Sequence, residues 1–304
     1  MTPWFARRVI LVAGKGGVGR STVSLALARS LSAQGHETLL VETALGRPGP
    51  SAFAAHLAVA AGPLVQTIGR HLSYARLEPR HGQELFLREV IPMGPLVHAA
   101  VHSKALARML DAGPSLDELG VMHHFLTLAE ERHGASLRYA RIVLDLPATG
   151  HALALADLPD TLLRIAPRGP IADRLRRGQA ILEDPRASGA VIVTVPEPLA
   201  LREATDLAAG LRSSRVPVSA FLVNRAPVRP TPEGAIEVMN ATFGNRTVPG
   251  RRTLTARALA TDRMHLLARE IAPVPLLQCP EAVGGEAVLH AVEAALRDSL
   301  TGPR

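Results

Sequence analysis

Near its start the chain reads Val9-Ile10-Leu11-Val12-Ala13-Gly14-Lys15-Gly16-Gly17-Val18-Gly19-Arg20-Ser21-Thr22. The apolar run predicts a buried strand, the pattern of Thr22–Ala33 predicts a helix, and the glycine-rich stretch between them is typical of a phosphate-binding loop. Glycines let consecutive backbone N–H groups approach an anion, and the positive end of the helix dipole points to the same place. The predicted phosphate-binding residues are Gly14, Lys15, Gly16, Gly17, Val18, Gly19, Arg20, Ser21 and Thr22.

One position departs from the usual pattern, because Arg20 stands where the loop ordinarily carries lysine. The chain has 34 Lys+Arg but lysine only at Lys15 and Lys104, which leaves 34 − 2 = 32 arginines. Arginine therefore replaces lysine almost throughout, and Arg20 is either a tolerated exchange of cations or an impairment. A planar guanidinium fits a tight phosphate nest less well than a compact ammonium. Both interpretations stay open at this stage.

Composition limits the class of protein. The 304 residues are expected to form a single α/β domain, 1–304, with a net charge of +7 spread over scattered arginines. Nucleic acid is therefore not expected as a partner. A lone cysteine, Cys279, excludes an internal disulfide and suggests a reducing, cytoplasmic setting. No stretch reaches the roughly 20 apolar residues of a membrane span.

Short apolar runs recur at wide spacing with helical patterns between them, which predicts a doubly wound, mostly parallel sheet of the P-loop NTPase type. The predicted strands are Val9–Ala13, Thr38–Val41, Ile142–Leu144, Ala190–Thr194, Ser219–Val223 and Pro273–Leu277. The predicted helices are Thr22–Ala33, Leu199–Arg212 and Glu286–Leu300. Residues 63–138 are expected to be an inserted helical subdomain, and residues 226–263 a long loop with a short helix.

A second motif follows the strand at 142–144. Asp145 ends this strand, where a carboxylate can hold a Mg²⁺-bound water, and Ser21 is placed to offer its hydroxyl to the same ion. Thr149-Gly150 is predicted to form a turn whose backbone N–H senses a γ-phosphate. Ser21 and Asp145 are thus the predicted metal-binding residues.

Further segments make the chain similar to a known family. Lys15 resembles the additional lysine of the deviant Walker A ATPases, the class of MinD and ParA. Segments that resemble those of the ArsA family follow in order: Asp145…Thr149-Gly150-His151…Leu158-Pro159, Val195-Pro196-Glu197…Glu203-Ala204, Phe221-Leu222-Val223-Asn224-Arg225 and Pro275-Leu276…Glu281…Gly284. This family comprises arsenite-pump ATPases and the ATPases of guided entry of tail-anchored membrane proteins.

The resemblance implies an ATPase that uses ATP and Mg²⁺ and works as a homodimer or as a heterodimer with a related chain. Lys15 would contact the partner's phosphates across the interface, Asn224 would read adenine, and Lys15, Arg20 and Asp145 would be the catalytic residues. A hydrophobic protein client is a further implied partner. Apolar residues of 85–126 form either a client groove or core and interface: Phe86, Leu87, Val90, Ile91, Met93, Leu96, Val97, Met109, Leu110, Val121, Met122, Phe125 and Leu126.

Several features depart from the family. Ala44 stands where the family has the aspartate that orients the attacking water, and Glu42 could instead serve the Mg²⁺-water shell. One cysteine supports no zinc, no iron–sulfur cluster and no direct arsenite binding. The histidines at 98, 102, 123 and 124 are interpreted as surface residues. Two alternatives remain, a catalytically weak subunit of a heterodimeric ArsA-like complex and a ParA-like ATPase on DNA.

Overall fold

A computed structural model of the chain describes residues 4–45, 49–90, 116–165, 167–228, 231–232, 234–244, 246, 248–282 and 285–300. The strands are β1 Val9–Gly14, β2 Thr38–Thr43, β3 Gln66–Gly69, β4 Leu72–Leu77, β5 Arg132–His133, β6 Ser136–Leu137, β7 Arg141–Asp145, β8 Ser188–Thr194, β9 Val218–Ala226 and β10 Leu276–Pro280. The helices are α1 Arg20–Ala33, α2 Ala54–Leu57, α3 Pro79–Val90, α4 Leu116–Ala129, α5 Thr149–Ile165, α6 Pro170–Glu183, α7 Pro198–Ser213, α8 Ala235–Phe243, α9 Arg251–Ile271 and α10 Gly285–Leu300.

Eight strands form one sheet in the order β10-β9-β8-β1-β7-β2-β4-β3, and β5 pairs separately with β6. Within the large sheet every pairing is parallel except that of β3 with β4. Because β1 lies between β7 and β8 and is parallel to both, the carboxyl ends of the three strands lie at the same edge of the sheet. The pairing of Val12 with Asp145 places that carboxylate beside the end of β1.

Both faces of the sheet are covered by helices. Successive residues of β1 alternate between two cores, with Leu11 in one and Ile10 in the other. Helices α4, α5, α6, α7 and α9 contribute to the first core, and α1 and α10 contribute to the second. The structure therefore confirms the predicted doubly wound α/β sheet.

The last strand differs from the prediction, since β10 begins at Leu276 rather than at Pro273. Proline has no N–H to donate to a sheet ladder, so the segment that contains Pro273 and Pro275 cannot pair fully. The carbonyl of Pro275 still accepts a hydrogen bond from the N–H of Phe221 at 2.9 Å, so the contact with β9 begins one residue before β10.

Residues 63–138 are not wholly helical. Strands β3 and β4 lie within this range, and β4 pairs with β2 as part of the main sheet. Helices α3 and α4 follow and cross closely, since a Cβ on Gly82 would lie 1.8 Å from the carbonyl oxygen of Gly120. The expectation of a helical insertion is therefore wrong for the segments that form β3 and β4 at its start and β5 and β6 at its end. Strands of four and six residues carry too short a pattern to be told from helix in sequence.

Four of the apolar residues predicted to form either a client groove or core lie in the core. Val121, Met122, Phe125 and Leu126 are fully buried on α4 and pack in the core that contains Leu11. The apolar residues predicted between positions 91 and 110, together with His98 and His102, lie outside the described residues.

The segment 226–263 was expected to be mainly loop, and this expectation is wrong. Helix α8 occupies Ala235–Phe243, and α9 begins at Arg251 and continues for 21 residues. Four buried side chains of α9 recur at helical spacing: Ala260, Met264, Leu267 and Ile271. Arginines on the exposed face lie between them in the sequence and make this apolar pattern hard to recognise.

The interpretation of His123 and His124 as surface residues is also wrong, because both side chains are buried on α4. The ring of His124 stacks edge-on against His81, with 4.7 Å between centroids. The pKa of both histidines is lowered to about 4, mainly by burial, and the charge of Arg174 contributes to the shift of His123. Both are therefore neutral in the folded protein at neutral pH.

This burial predicts acid sensitivity. The folded pKa of about 4 lies below the unfolded value of 6.5, so the unfolded chain binds more protons between these values and stability falls as the pH drops from 6.5 to 4. The glutamine of His124→Gln cannot titrate. When the pH is lowered from 7 to 5, the free energy of unfolding of this variant should therefore fall by about 2 kcal/mol less than that of the wild type. Urea denaturation at the two pH values measures this difference. Equal losses in both proteins would contradict the prediction.

Within the described residues, no helix has the length and apolar character needed to cross a lipid bilayer.

Candidate nucleotide site

The phosphate loop leaves the sheet at the end of β1 and enters α1 at Arg20. Gly14 has φ +154°, and a Cβ there would lie 2.3 Å from the carbonyl oxygen of Val193 on β8, so glycine is required at this point. Gly19 caps α1 with φ +96°, and no side chain caps the first turn. The N–H groups of that turn are therefore available to an anion.

Ser21 and Asp145 meet at the carboxyl edge of the sheet. The Ser21 hydroxyl donates to Oδ2 of Asp145 at 2.8 Å, and the Ser24 hydroxyl donates to Oδ1 at 3.0 Å. The Thr43 hydroxyl donates to the backbone carbonyl of Asp145 at 2.8 Å, which ties the end of β2 to the same point. The fold thus brings the two predicted metal-binding residues into contact.

Burial raises the pKa of Asp145 from 3.8 to about 6, although the Ser21 hydroxyl and the Arg20 guanidinium oppose this shift. A buried carboxylate with few compensating charges attracts a cation. A serine hydroxyl next to this carboxylate fits Mg²⁺, which keeps several waters and shares phosphate oxygens. Among the described residues, no group of three or more His, Cys, Asp or Glu could hold a metal.

Glu42, predicted to serve a Mg²⁺-water shell, has three hydrogen-bond partners within the protein. Its Oε2 accepts hydrogen bonds from the Ser51 hydroxyl at 2.5 Å and the Tyr74 hydroxyl at 2.6 Å, and its Oε1 accepts one from the N–H of Ala52 at 2.9 Å. Burial and the hydrogen bond to Glu42 raise the pKa of Tyr74. This buried carboxylate therefore anchors the segment after β2.

Arg20 lies beside the site but points to the end of β7. Its guanidinium donates to the carbonyl of Leu146 at 2.7 Å, and burial lowers its pKa while Asp145 opposes that shift. The arginine is thus held by the residue after Asp145, the predicted Mg²⁺ ligand. Whether it can take the role of the usual lysine remains a prediction.

Lys15 forms an ion pair within its own chain. Its Nζ lies 2.9 Å from Oε1 of Glu203 on α7, and both side chains are partly exposed. This partner lies 188 positions away and was not predicted from the sequence. By contrast, Ser24 could have been found, because it follows Ser21 by three residues on α1 and therefore lies on the same helix face.

Thr149 and Gly150 form the first turn of α5 rather than an isolated turn. The N–H of Ala152 donates to the carbonyl of Ala148 at 3.2 Å, so the helix begins four residues after Asp145. The sensing of a γ-phosphate by Thr149-Gly150 stays a prediction, and a helix start that presents free N–H groups to an anion is compatible with it.

Asn224, at the end of β9, lies against the phosphate loop. Its side chain is 4% exposed, and its Nδ2 donates to the carbonyl of Val18 at 2.9 Å. A separate cavity of about 300 Å³ adjoins Ser21 and Thr22 and is lined by Leu25, Ala52, Phe53, His56, Glu286, Val288 and Leu289.

A parallel sheet of this order, a glycine-rich loop before α1 and the Ser21–Asp145 pair together define a P-loop nucleotide-binding protein. The sequence profile of the anion-transporting ATPase family, the ArsA type, matches residues 7–168. The chain belongs to this family, which confirms the predicted resemblance and the class of enzyme, an ATPase.

Individual relatives agree with this assignment. The chain is 25% identical to ATPase GET3C and 27% identical to ATPase GET3B of Arabidopsis thaliana, over 72% of its own length and 67% and 64% of theirs. It is 26% identical to the arsenical pump-driving ATPase of Escherichia coli, again over 72% of its length but only 34% of that protein. The chain therefore matches about two thirds of the plant proteins and a third of the bacterial one.

Proposed function

We propose that this chain binds Mg²⁺–ATP between α1 and β7, hydrolyses it, and uses the nucleotide to drive a dimer switch that binds a protein partner. The observation that supports this most strongly is the 2.8 Å contact of Ser21 with the buried Asp145, next to an uncapped helix start. A hydroxyl, a carboxylate and free N–H groups at one point suit a Mg²⁺–phosphate group and little else.

The proposed roles follow from position. The N–H groups of Gly16, Gly17 and Gly19 cradle phosphate, and Thr22 contacts the α-phosphate side. Ser21 and Asp145 hold Mg²⁺, which neutralises charge on the β- and γ-phosphates when bound. The buried position of Asp145 keeps bulk water away from that charge and so strengthens its effect.

The cavity beside Thr22 supports the proposal that the nucleoside of ATP binds next to the phosphate loop. Its volume of about 300 Å³ is at the small end of ligand pockets. Phe53 and Leu289 give it apolar walls, and the Glu286 carboxylate can accept hydrogen bonds from ribose hydroxyls.

A second candidate, a catalytically weak subunit that binds nucleotide to regulate a heterodimer, rests on two residues. Ala44 offers no group to orient water, and the Arg20 guanidinium is engaged by the Leu146 carbonyl. In such a complex a related chain would supply the missing groups. The family assignment favours both ArsA-type candidates over the ParA-like ATPase on DNA.

The switch would require Lys15 to leave Glu203 and contact the partner's phosphates. We expect Lys15→Ala to abolish the nucleotide-stabilised dimer, because the charge that crosses the interface is lost. Glu203→Gln removes the competing carboxylate and should preserve or strengthen that dimer. Sedimentation velocity with and without Mg²⁺–ATP measures both variants. A Lys15→Ala protein that dimerises like the wild type would exclude the role in trans.

A hydrophobic protein client and a cytoplasmic location also remain proposals. Val121, Met122, Phe125 and Leu126 belong to the core and are therefore not part of the proposed client surface.

The proposal is tested in two steps on the purified chain. Calorimetry with Mg²⁺–ATP measures binding, and an absence of binding would refute both candidates. Steady-state phosphate release, with Asp145→Asn protein as background, then separates them. Turnover above background supports a self-sufficient ATPase, and binding without turnover supports the partner subunit.

A further inference from the structure

A buried network of polar side chains ties the segment after β2 to the central sheet. The Glu42 carboxylate, near the end of β2, accepts hydrogen bonds from the hydroxyls of Ser51 and Tyr74 at 2.5 and 2.6 Å. It also accepts one from the N–H of Ala52 at 2.9 Å. The guanidinium of Arg76, on β4, lies 4.0 Å from the same carboxylate. Glu42 and Tyr74 are buried, so water competes little for these contacts.

The same network shapes residues 51–57, which we call the wall segment. The Ser51 hydroxyl accepts the N–H groups of Phe53 and Ala54 at 3.1 and 3.0 Å, near the start of α2. The ring of Phe53 packs edge-on against that of Tyr74, with 6.1 Å between centroids. None of the four residues of α2 is fully buried. The position of the wall segment therefore depends mainly on the contacts that precede α2.

The wall segment forms one side of the cavity of about 300 Å³ next to the phosphate loop. Ala52, Phe53 and His56 line the cavity on this side, and residues of α1 and α10 line the rest. Glu42 and Tyr74 are not among the lining residues. They would therefore act on a ligand in this cavity only through the wall segment.

We propose that Glu42 and Tyr74 are positioning residues that hold the wall segment in the conformation that binds the nucleoside of ATP. The inference rests on the proposed function, in which the nucleoside occupies this cavity, and adds the residues that fix one of its walls. A wall that is already held loses less conformational freedom when the ligand binds, which favours affinity. If the wall were held only part of the time, the apparent affinity would fall in proportion.

The test combines calorimetry with hydrogen–deuterium exchange, both on the full chain with Mg²⁺–ATP. In the wild type, saturating ATP should slow exchange in residues 16–22 of the phosphate loop and also in the wall segment. Glu42→Gln keeps the shape of the side chain but places an NH₂ group against at least one of the three donors. We expect it to weaken ATP binding by a factor of about ten and to remove the protection of the wall segment, while the phosphate loop stays protected.

Two further variants complete the design. Tyr74→Phe keeps the ring beside Phe53 and removes only the hydroxyl, so it should weaken ATP binding in the same way but only about threefold. Tyr139→Phe is the matched control, because this tyrosine is also buried but precedes β7 at the opposite edge of the sheet, and it should change neither measurement. Thermal unfolding without ligand shows that each variant is folded, and Tyr74→Phe serves should Glu42→Gln not fold.

The outcomes separate the inference from the proposed function. A wild type that neither binds ATP nor gains protection anywhere would refute the proposed function itself. Protection of the phosphate loop without protection of the wall segment in the wild type would overturn the inference alone. The inference also fails if Glu42→Gln keeps the wild-type affinity and protection. Equal loss of protection in both regions of that variant would indicate a general structural role and would overturn it as well.

Discussion

Asp145→Asn is expected to abolish ATP turnover and at the same time to stabilise the ligand-free protein at neutral pH. Asp145 is 7% exposed, and burial raises the pKa of its carboxyl from 3.8 to about 6. A group whose folded pKa is raised contributes its full stability below the unfolded pKa and loses it as the pH rises through the folded pKa. At pH 7 the charged form is therefore a cost to the fold.

The size of both effects follows from this burial. The shift from 3.8 to about 6 corresponds to at most about 3 kcal/mol at neutral pH. Asparagine keeps the shape and can still bond the Ser21 and Ser24 hydroxyls, so we expect a gain of roughly 1–3 kcal/mol. Turnover should fall by a factor on the order of 100 or more, because the neutral amide binds Mg²⁺-bound water poorly.

Urea denaturation at pH 7.5 and pH 4, with phosphate release at pH 7.5, measures these effects. The gain in stability should be present at pH 7.5 and nearly absent at pH 4, where the wild-type carboxyl is protonated. Asp173→Asn, at a largely exposed position on α6, is the matched control and should change neither quantity. A destabilised Asp145→Asn protein that still hydrolyses ATP would contradict the prediction.

Gly14→Ala is expected to have the largest effect on stability among substitutions in the phosphate loop. The new Cβ would lie 2.3 Å from the Val193 carbonyl and 3.3 Å from Cγ2 of Val18, and φ +154° is strained for alanine. Neither β1 nor β8 can move, because both are paired on each side within the sheet. We expect a loss of about 3 kcal/mol and with it the loss of nucleotide binding.

Gly16→Ala provides the comparison within the same loop. A Cβ at Gly16 meets no described heavy atom within 4 Å, so the stability of the ligand-free protein should change by less than about 0.5 kcal/mol. Thermal unfolding of the two variants without nucleotide measures the contrast. Similar unfolding temperatures for Gly14→Ala and the wild type would show that the sheet edge accommodates the extra carbon.

The fold was largely predictable where apolar runs are long and buried on both faces. β1 and β7 differ from their predicted bounds by one residue or less at each end, because a strand covered on both faces has few polar residues to confuse the pattern. β3 and β4 were missed, since they are short and lie before a helical segment. Helix α9 was missed because its exposed arginines and the glycine and prolines before it resemble a loop.

The candidate site likewise contains residues that the sequence predicts and contacts that only the tertiary structure shows. Gly14, Ser21 and Asp145 could be named from sequence, because a phosphate loop needs a strand, glycines and a helix in consecutive order, and because parallel strands end at one edge. Order along the chain, together with the rule that parallel strands end at one edge, was sufficient for these residues. The partners of Lys15, Glu42 and Asn224 were decided by packing alone: Glu203, Tyr74 and Val18 lie far away in the chain. The partner of a side chain at the sheet edge depends on which distant segment the tertiary fold packs against it. The spacing of residues along the chain does not specify that partner.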